Sequence, residues 1–157
     1  MFGFMIIKYF TFSVSITIIS WIVGMIVTAI LARTASYQSL SSLNFIPGAR
    51  ANKLIGIDAF RWIVKNTFFR FFNPNLKIKG RIETAQMLEL RKEMTFSEIS
   101  HFAGFGFVAV FAVVKFINAE FLFGLIMMLI NVLMNLYPSL LQQENKRRID
   151  KFLMRFS

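Results

Sequence analysis

Between Tyr9 and Ala32 the chain runs 24 residues without a charge, long enough to cross about 30 Å of hydrocarbon as a helix rising about 1.5 Å per residue. Lys8 precedes the run, Trp21 sits inside it and Arg33 ends it. A secretory signal peptide is the competing reading. The run exceeds the roughly 7–15 residues of a signal h-region, and its exit, Ala29-Ile30-Leu31-Ala32-Arg33, lacks an A-x-A cleavage pattern. A retained first span over residues 4–32 is therefore expected. A second uncharged run of 21 residues, Phe121 to Leu141, predicts another span over residues 120–142. Ahead of it Phe102 to Asn118 is apolar apart from Lys115, short for a crossing. Lys115 reads as a snorkelling anchor. Ile117 to Glu120 leaves room for a tight turn, so residues 101–118 and 120–142 are expected to form a helical hairpin.

The polar stretches fill in the plan. Arg33 to Ser100 holds 11 Lys/Arg against 5 Asp/Glu. Its Ser-rich start, Thr34 to Pro47, reads as a loop. Lys53 to Phe72 mixes Leu54, Ile57, Phe60, Ile63, Val64, Phe68 and Phe71 with Arg61, Lys65 and Arg70, the pattern of an interfacial helix whose basic side chains snorkel. Asn73-Pro74-Asn75 breaks it, and a further helix is predicted from near Arg81 into the membrane. The tail, residues 143–157, carries Lys146, Arg147, Arg148, Lys151 and Arg155. Positive-inside bias places both basic segments in the cytosol and the N-terminus outside. The hairpin then crosses twice or forms a re-entrant pair. The expectation is one all-α, integral-membrane domain over residues 1–157: three transmembrane helices, one N-terminal and two in a C-terminal hairpin, around an interfacial or cytosolic helical segment over residues 33–100.

Composition sharpens this plan. The 157 residues are 56% hydrophobic with 20 Phe, above the roughly 45–50% of ordinary globular domains. With no Cys and one His, disulfides, thiolate chemistry and a Cys- or His-rich metal centre are excluded, and no metal ligand is assigned. The net charge of +10 flanks apolar runs, where anionic lipid and topology account for it. No nucleic-acid-reading motif is present.

Polar residues aimed at buried faces hold the candidate chemistry. On an unbroken helix Met87, Leu90, Met94, Glu98, His101 and Phe105 step by three and four, which puts Glu98 and His101 on the apolar stripe. A break at Thr95-Phe96-Ser97, with Ser97 as N-cap, would dissolve that shared face. On the last span Asn131, Asn135, Pro138, Gln142 and Asn145 form a polar ridge that Arg148 extends. An antiparallel hairpin returns the end of this ridge, Asn135 to Asn145, to the level of Glu98 and His101. The Asn residues read either as interhelical glue or as a site. The Glu98–His101 pair reads either as a structural pairing or as a general base with a carboxylate that orients and charges the imidazole. Convergence of the two groups favours a site.

The step Ser97-Glu98-Ile99-Ser100-His101, then Asn135 and the tail Gln142-Gln143-Glu144-Asn145-Lys146-Arg147-Arg148-Ile149, resemble one family. These are small membrane proteins similar to glycosyl-4,4'-diaponeurosporenoate acyltransferase, which attaches a fatty acyl chain to a glycosylated carotenoid acid. The resemblance covers roughly residues 50 to 155. Gln143 and Glu144 stand where the family carries Arg-Tyr, and Lys146 where it carries Arg. It implies an acyltransferase of a bacterial cytoplasmic membrane, with acyl-CoA or acyl carrier protein as donor substrate, no further cofactor, and membrane lipid or an amphiphilic hydroxyl compound as acceptor. His101 and Glu98 are then the expected catalytic pair. Asn131, Asn135, Gln142, Asn145 and Arg148 are the expected substrate contacts, with Asn135 and Gln142 donating to an oxyanion and Arg148 drawing donor phosphates with Lys146 and Arg147. The alternative is a non-enzymatic subunit that binds a lipid or a larger membrane-protein partner.

Overall fold

The computed structural model describes residues 2–41, 54–66 and 84–154, and all elements among these are helical. In order they are α1 (Phe2–Leu31), α2 (Ser36–Ser41), α3 (Ile57–Asn66), α4 (Thr84–Ile117), α5 (Phe121–Asn131), a π turn (Val132–Leu136) and α6 (Tyr137–Leu153). Three continuous rods, Phe2–Leu31, Thr84–Ile117 and Phe121–Leu153, are long and apolar enough to span a membrane. The last joins α5, the π turn and α6.

Helix α1 is built inside out relative to a helix in water. Its outward residues include Phe4, Ile7, Phe10, Ile22, Ile26 and Ile30, while Ser13, Thr17, Ser20, Gly24 and Thr28 are buried. In lipid a large apolar side chain gains nothing from helix contact. Small residues win the interface because they let backbones approach and gain dispersion contact. Their hydroxyls satisfy themselves first: Ser13 donates to the Tyr9 carbonyl (2.7 Å), Thr17 to Ser13 (2.7 Å) and Ser20 to Thr17 (2.6 Å).

The small-residue stripe seats α1 against α4. A methyl group on Gly24 would collide with the Ser100 carbonyl, and one on Gly104 would lie 3.0 Å from the Ser20 carbonyl. Ser100 Oγ donates across the crossing to Thr28 Oγ1 at 3.0 Å. Helix α4 also packs against α5, the π turn and α6, and so forms the centre of the bundle. It runs unbroken for 34 residues, with no interruption at Thr95-Phe96-Ser97 and no break at which a re-entrant path turns. Thr95 back-bonds to the Arg91 carbonyl (2.9 Å) within the continuous helix.

The hairpin turn is a C-cap. Ala119 adopts a positive φ of 61°, Glu120 N–H donates to the Lys115 carbonyl (2.9 Å) and Ala119 N–H to Phe116 (3.1 Å), the pairing that closes the last turn of a helix. Lys115 has partners beyond a snorkelling role: its Nζ lies 3.2 Å from Glu120 Oε1 and 4.7 Å from the Phe123 ring centroid. Behind the turn Val108, Ala112, Phe123 and Met127 form an apolar cluster, with Tyr9 stacked on Phe123 at 4.2 Å.

Two stretches of the middle segment bear on the site. The loop expected over Thr34 to Pro47 begins instead with helix α2, Ser36–Ser41; serine's weak helix propensity is a prior that a short turn overrides. Of the interfacial helix expected over Lys53 to Phe72, α3 forms with Ile57 and Val64 inward on Leu140 and Leu141, Trp62 outward, and Arg61 paired to Asp58 at 2.8 Å. Tyr137 Oη donates to the Ile55 carbonyl (2.7 Å) and tethers the entry to α3. Phe68, Arg70, Phe71, the Asn73-Pro74-Asn75 break and Arg81 lie outside the described residues, as does Arg155.

Because the α1–α4 crossing leaves no room for a side chain at position 24, Gly24→Ala is expected to destabilise the bundle by about 1–3 kcal/mol. Gly106, where an added methyl meets nothing within 4 Å, should accept alanine without loss. Thermal unfolding of both variants in one detergent measures the contrast.

Candidate functional site

The ridge on the third rod forms the inner wall of the site. Asn131 and Asn135 are fully buried. Asn131 Nδ2 donates to the Phe105 carbonyl of α4 at 3.0 Å. Asn135 Nδ2 donates to Asn131 Oδ1 and to Ser20 Oγ of α1, both at 2.9 Å. Asn135 Oδ1 lies 3.5 Å from His101 Nδ1. The Trp21 ring meets the imidazole edge-on, with centroids 6.2 Å apart, and Trp21 Nε1 donates to the Met134 carbonyl within the π turn at 3.4 Å. One N–H of the Asn135 amide is thus committed to α1 and the other to Asn131 on its own rod, leaving none for an incoming oxyanion.

The expected bond between Glu98 and the imidazole is not formed. Glu98 is buried against α6, where Lys146 Nζ lies 2.5 Å from its Oε2 and Gln143 Nε2 donates to its Oε1 at 3.2 Å. Ser139 Oγ donates to the Glu98 carbonyl at 3.1 Å. One helical repeat earlier, Arg91 pairs with Asp150 through bonds of 2.5 and 3.3 Å. The π turn accounts for the difference from the expected ridge. An i→i+5 turn takes more residues per revolution than an α turn, so the inward face passes from Asn131 and Asn135 to Ser139, Gln143 and Lys146, each one residue later than a 3.6-residue period predicts. Lys146, expected to face a lipid or phosphate, is instead 3% exposed.

The remaining ridge residues lie on the flanks. Gln142 lines a cavity, and Asn145 is half-buried. Arg148 is exposed and pairs with Glu144 (3.4 Å), which also holds Arg147 at 3.1 Å. Near this end, on α2, burial pushes the Tyr37 hydroxyl above its ordinary range, and the Glu98 charge pushes it further the same way.

The cavity measures about 600 Å³ and is bounded by α1, α3, α4 and the third rod. Its walls are apolar, from Trp21 and Met25 through Phe60 and Val64 to Leu133 and Leu141. Ser97, Ser100, His101 and Gln142 are its polar lining. Ser100 is bonded to Thr28. The side chains of Ser97 and Gln142 and the Nε2 of His101 make no hydrogen bond to the described residues. A largely apolar cavity of this size with a few polar groups in its lining has the form of a small-molecule site.

The sequence did not single out Ser20, Trp21 or Gln143. The spacing of Ser13, Thr17, Ser20, Gly24 and Thr28 was a readable signal for the first. Gln143 becomes visible only once the π turn is known. A family model for glycosyl-4,4'-diaponeurosporenoate acyltransferase matches residues 33–155. No curated protein and no solved structure matches the chain. The α1 residues at the site precede the matched range.

Removing one partner from a buried ion pair strands the other's charge, at a cost of about 3–5 kcal/mol. Lys146→Met is therefore expected to lower the unfolding temperature sharply, and the double variant Glu98→Gln with Lys146→Met to recover most of the loss. Unfolding curves of the two proteins in the same detergent check this.

Proposed function

The chain belongs to the glycosyl-4,4'-diaponeurosporenoate acyltransferase family, and from that premise we propose that it moves a fatty acyl group from an activated thioester to a hydroxyl of a lipid or glycolipid in the membrane. The observation that carries this reading is the imidazole of His101 on the wall of the apolar cavity, which the Gln142 amide also lines. His101 acts as general base on the acceptor hydroxyl. The hydroxyl oxygen attacks the thioester carbonyl, and the Gln142 amide stabilises the oxyanion that develops. Collapse breaks the carbon–sulfur bond, and the proton held by His101 passes to the departing thiolate. One ester and one thiol result, with no redox change.

The acyl chain lies among the cavity's apolar side chains, and α3 excludes water from the reacting end. The donor is coenzyme A or acyl carrier protein thioester, drawn by the basic side chains Arg147 and Arg148 near the same end of the bundle. Positive-inside bias puts that end in the cytosol. The acceptor is a glycosylated, carotenoid-like amphiphile by the family's name. Glu98 serves this site as a structural partner of Lys146 and Gln143 that holds α4 and α6 in register.

The sealed Glu98–Lys146 pair and the helix-bridging Asn131 and Asn135 favour, taken alone, a second reading, a non-enzymatic subunit whose polar groups are helix glue. A base-bearing cavity is superfluous to such a subunit, which sets it second.

General-base catalysis supplies about 10²–10⁴-fold, so His101→Ala is expected to lose transfer by that factor while reaching the membrane normally. Lipids and pigments from cells lacking the protein, complemented with wild type or His101→Ala, are compared by mass spectrometry. An acylated species restored by wild type alone supports the enzyme and identifies the acceptor. Identical lipid profiles from the two strains would remove it.

A further inference from the structure

We infer that Asn135 is the positioning residue of His101, fixing the imidazole as the tautomer protonated at Nδ1 and leaving Nε2 as the bare nitrogen that acts as base. The catalytic consequence rests on the acyltransferase reading; the tautomer itself follows from the hydrogen-bond directions alone.

Those directions are forced by two backbone carbonyls, which can only accept. At one end the Phe105 carbonyl requires a donor, so the Asn131 side chain presents its N–H there and must turn its oxygen toward Asn135. At the other, the Ser20 hydroxyl proton is committed to the Thr17 carbonyl at 2.6 Å, so Ser20 Oγ can only accept from Asn135. Facing two acceptors, Asn131 Oδ1 and Ser20 Oγ, the Asn135 amide must direct its nitrogen to both. Its oxygen is then the group that faces His101. An oxygen acceptor there selects N–H at Nδ1, because a bare Nδ1 would oppose two lone pairs. The 3.5 Å separation is long for such a bond, and catalytic hydrogen bonds in unliganded sites commonly tighten when substrate closes over them.

Among the described residues the imidazole makes no hydrogen bond other than that to Asn135. The Glu98 carboxylate is engaged by Lys146 and Gln143, and Trp21 meets the ring only by an edge. The chain of acceptors also crosses all three long helices, so the tautomer reports whether the bundle is assembled. The ordering partner is a neutral amide where a general-base histidine usually has a carboxylate: it orients the ring without adding a charge in the membrane.

His101 is the chain's single histidine, so the test needs no assignment. The full chain, labelled with ¹⁵N-histidine and held in lipid nanodiscs at mildly alkaline pH, gives one pair of nitrogen resonances, whose long-range proton couplings tell Nδ1 from Nε2. Wild type is expected to show a protonated Nδ1 and a bare Nε2. Asn135→Leu is expected to lose that preference, and to lower kcat about 10–100-fold with little change in KM if the chain is a transferase. Ser20→Ala, which leaves Asn131 to orient the amide, should keep the Nδ1–H signal and so separates orientation from simple damage to packing. A wild type protonated at Nε2, or an Asn135→Leu variant with unchanged tautomer, would overturn the assignment. A wild type with the expected tautomer that transfers no acyl group from either palmitoyl-CoA or palmitoyl-acyl carrier protein to any extracted membrane lipid would remove the transferase reading and leave the role of Asn135 in holding the ring intact.

Discussion

A single side chain, Asn135, touches all three long helices. Its amide bonds Ser20 on α1 and Asn131 on its own rod, and faces His101 on α4. It is fully buried, in a segment where no water is available to replace a lost partner, so its bonds must be made within the protein or not at all. That constraint explains why Ser20, Asn131 and Asn135 bond to one another and why the imidazole faces the Asn135 oxygen. Helix α4 occupies the centre, packed against α1, α5, the π turn and α6. The Gly24, Ser100 and Gly104 crossing supplies the close approach that brings Ser20 within reach of Asn135.

The π turn gives the third rod two inward faces in succession. Up to Asn135 it offers amides to α1 and α4; beyond it, Ser139, Gln143 and Lys146 close on Glu98, and Asp150 on Arg91. Without the extra residue in the turn, Gln142 and Asn145 would fill the interhelical seam, and the amide of Gln142 would be unavailable to the cavity. One local departure from α geometry therefore separates the structural polar groups from those that line the site. A buried ion pair of this kind is weak evidence of stability gained over an apolar pair; its effect here is to set the axial register of α4 against α6.

The family match begins at residue 33, yet α1 supplies Ser20, Trp21 and Met25 to the site or its walls. The cavity is thus a property of the whole bundle rather than of the matched segment. Helix α3 closes it through Phe60, Ile63 and Val64, with Trp62 exposed on the other side. An amphipathic helix that covers an apolar cavity with one face and presents Trp with the other has the make-up of an interfacial helix.

By itself the sequence determined the spanning rods, the all-helical class, and the approach of Asn135 to His101. Charge-free runs of more than 20 residues and antiparallel connection by a tight turn leave few alternatives, because lipid requires each backbone group to be bonded within its own helix. The resemblance through Glu98, His101, Asn135, Gln142, Asn145 and Arg148 was likewise readable residue by residue. Tertiary structure alone decided the partners. The three-residue step along α4 paired Glu98 with His101, and a 3.6-residue period, which carries no sign of an i→i+5 turn, faced Lys146 outward; the folded chain pairs Glu98 with Lys146 and gives His101 to Asn135. Nor does a period tell which helix lies opposite a stripe of small residues. That was settled when Gly24 met the backbone of α4, since only contact between segments far apart in the chain determines which acceptor a buried donor reaches.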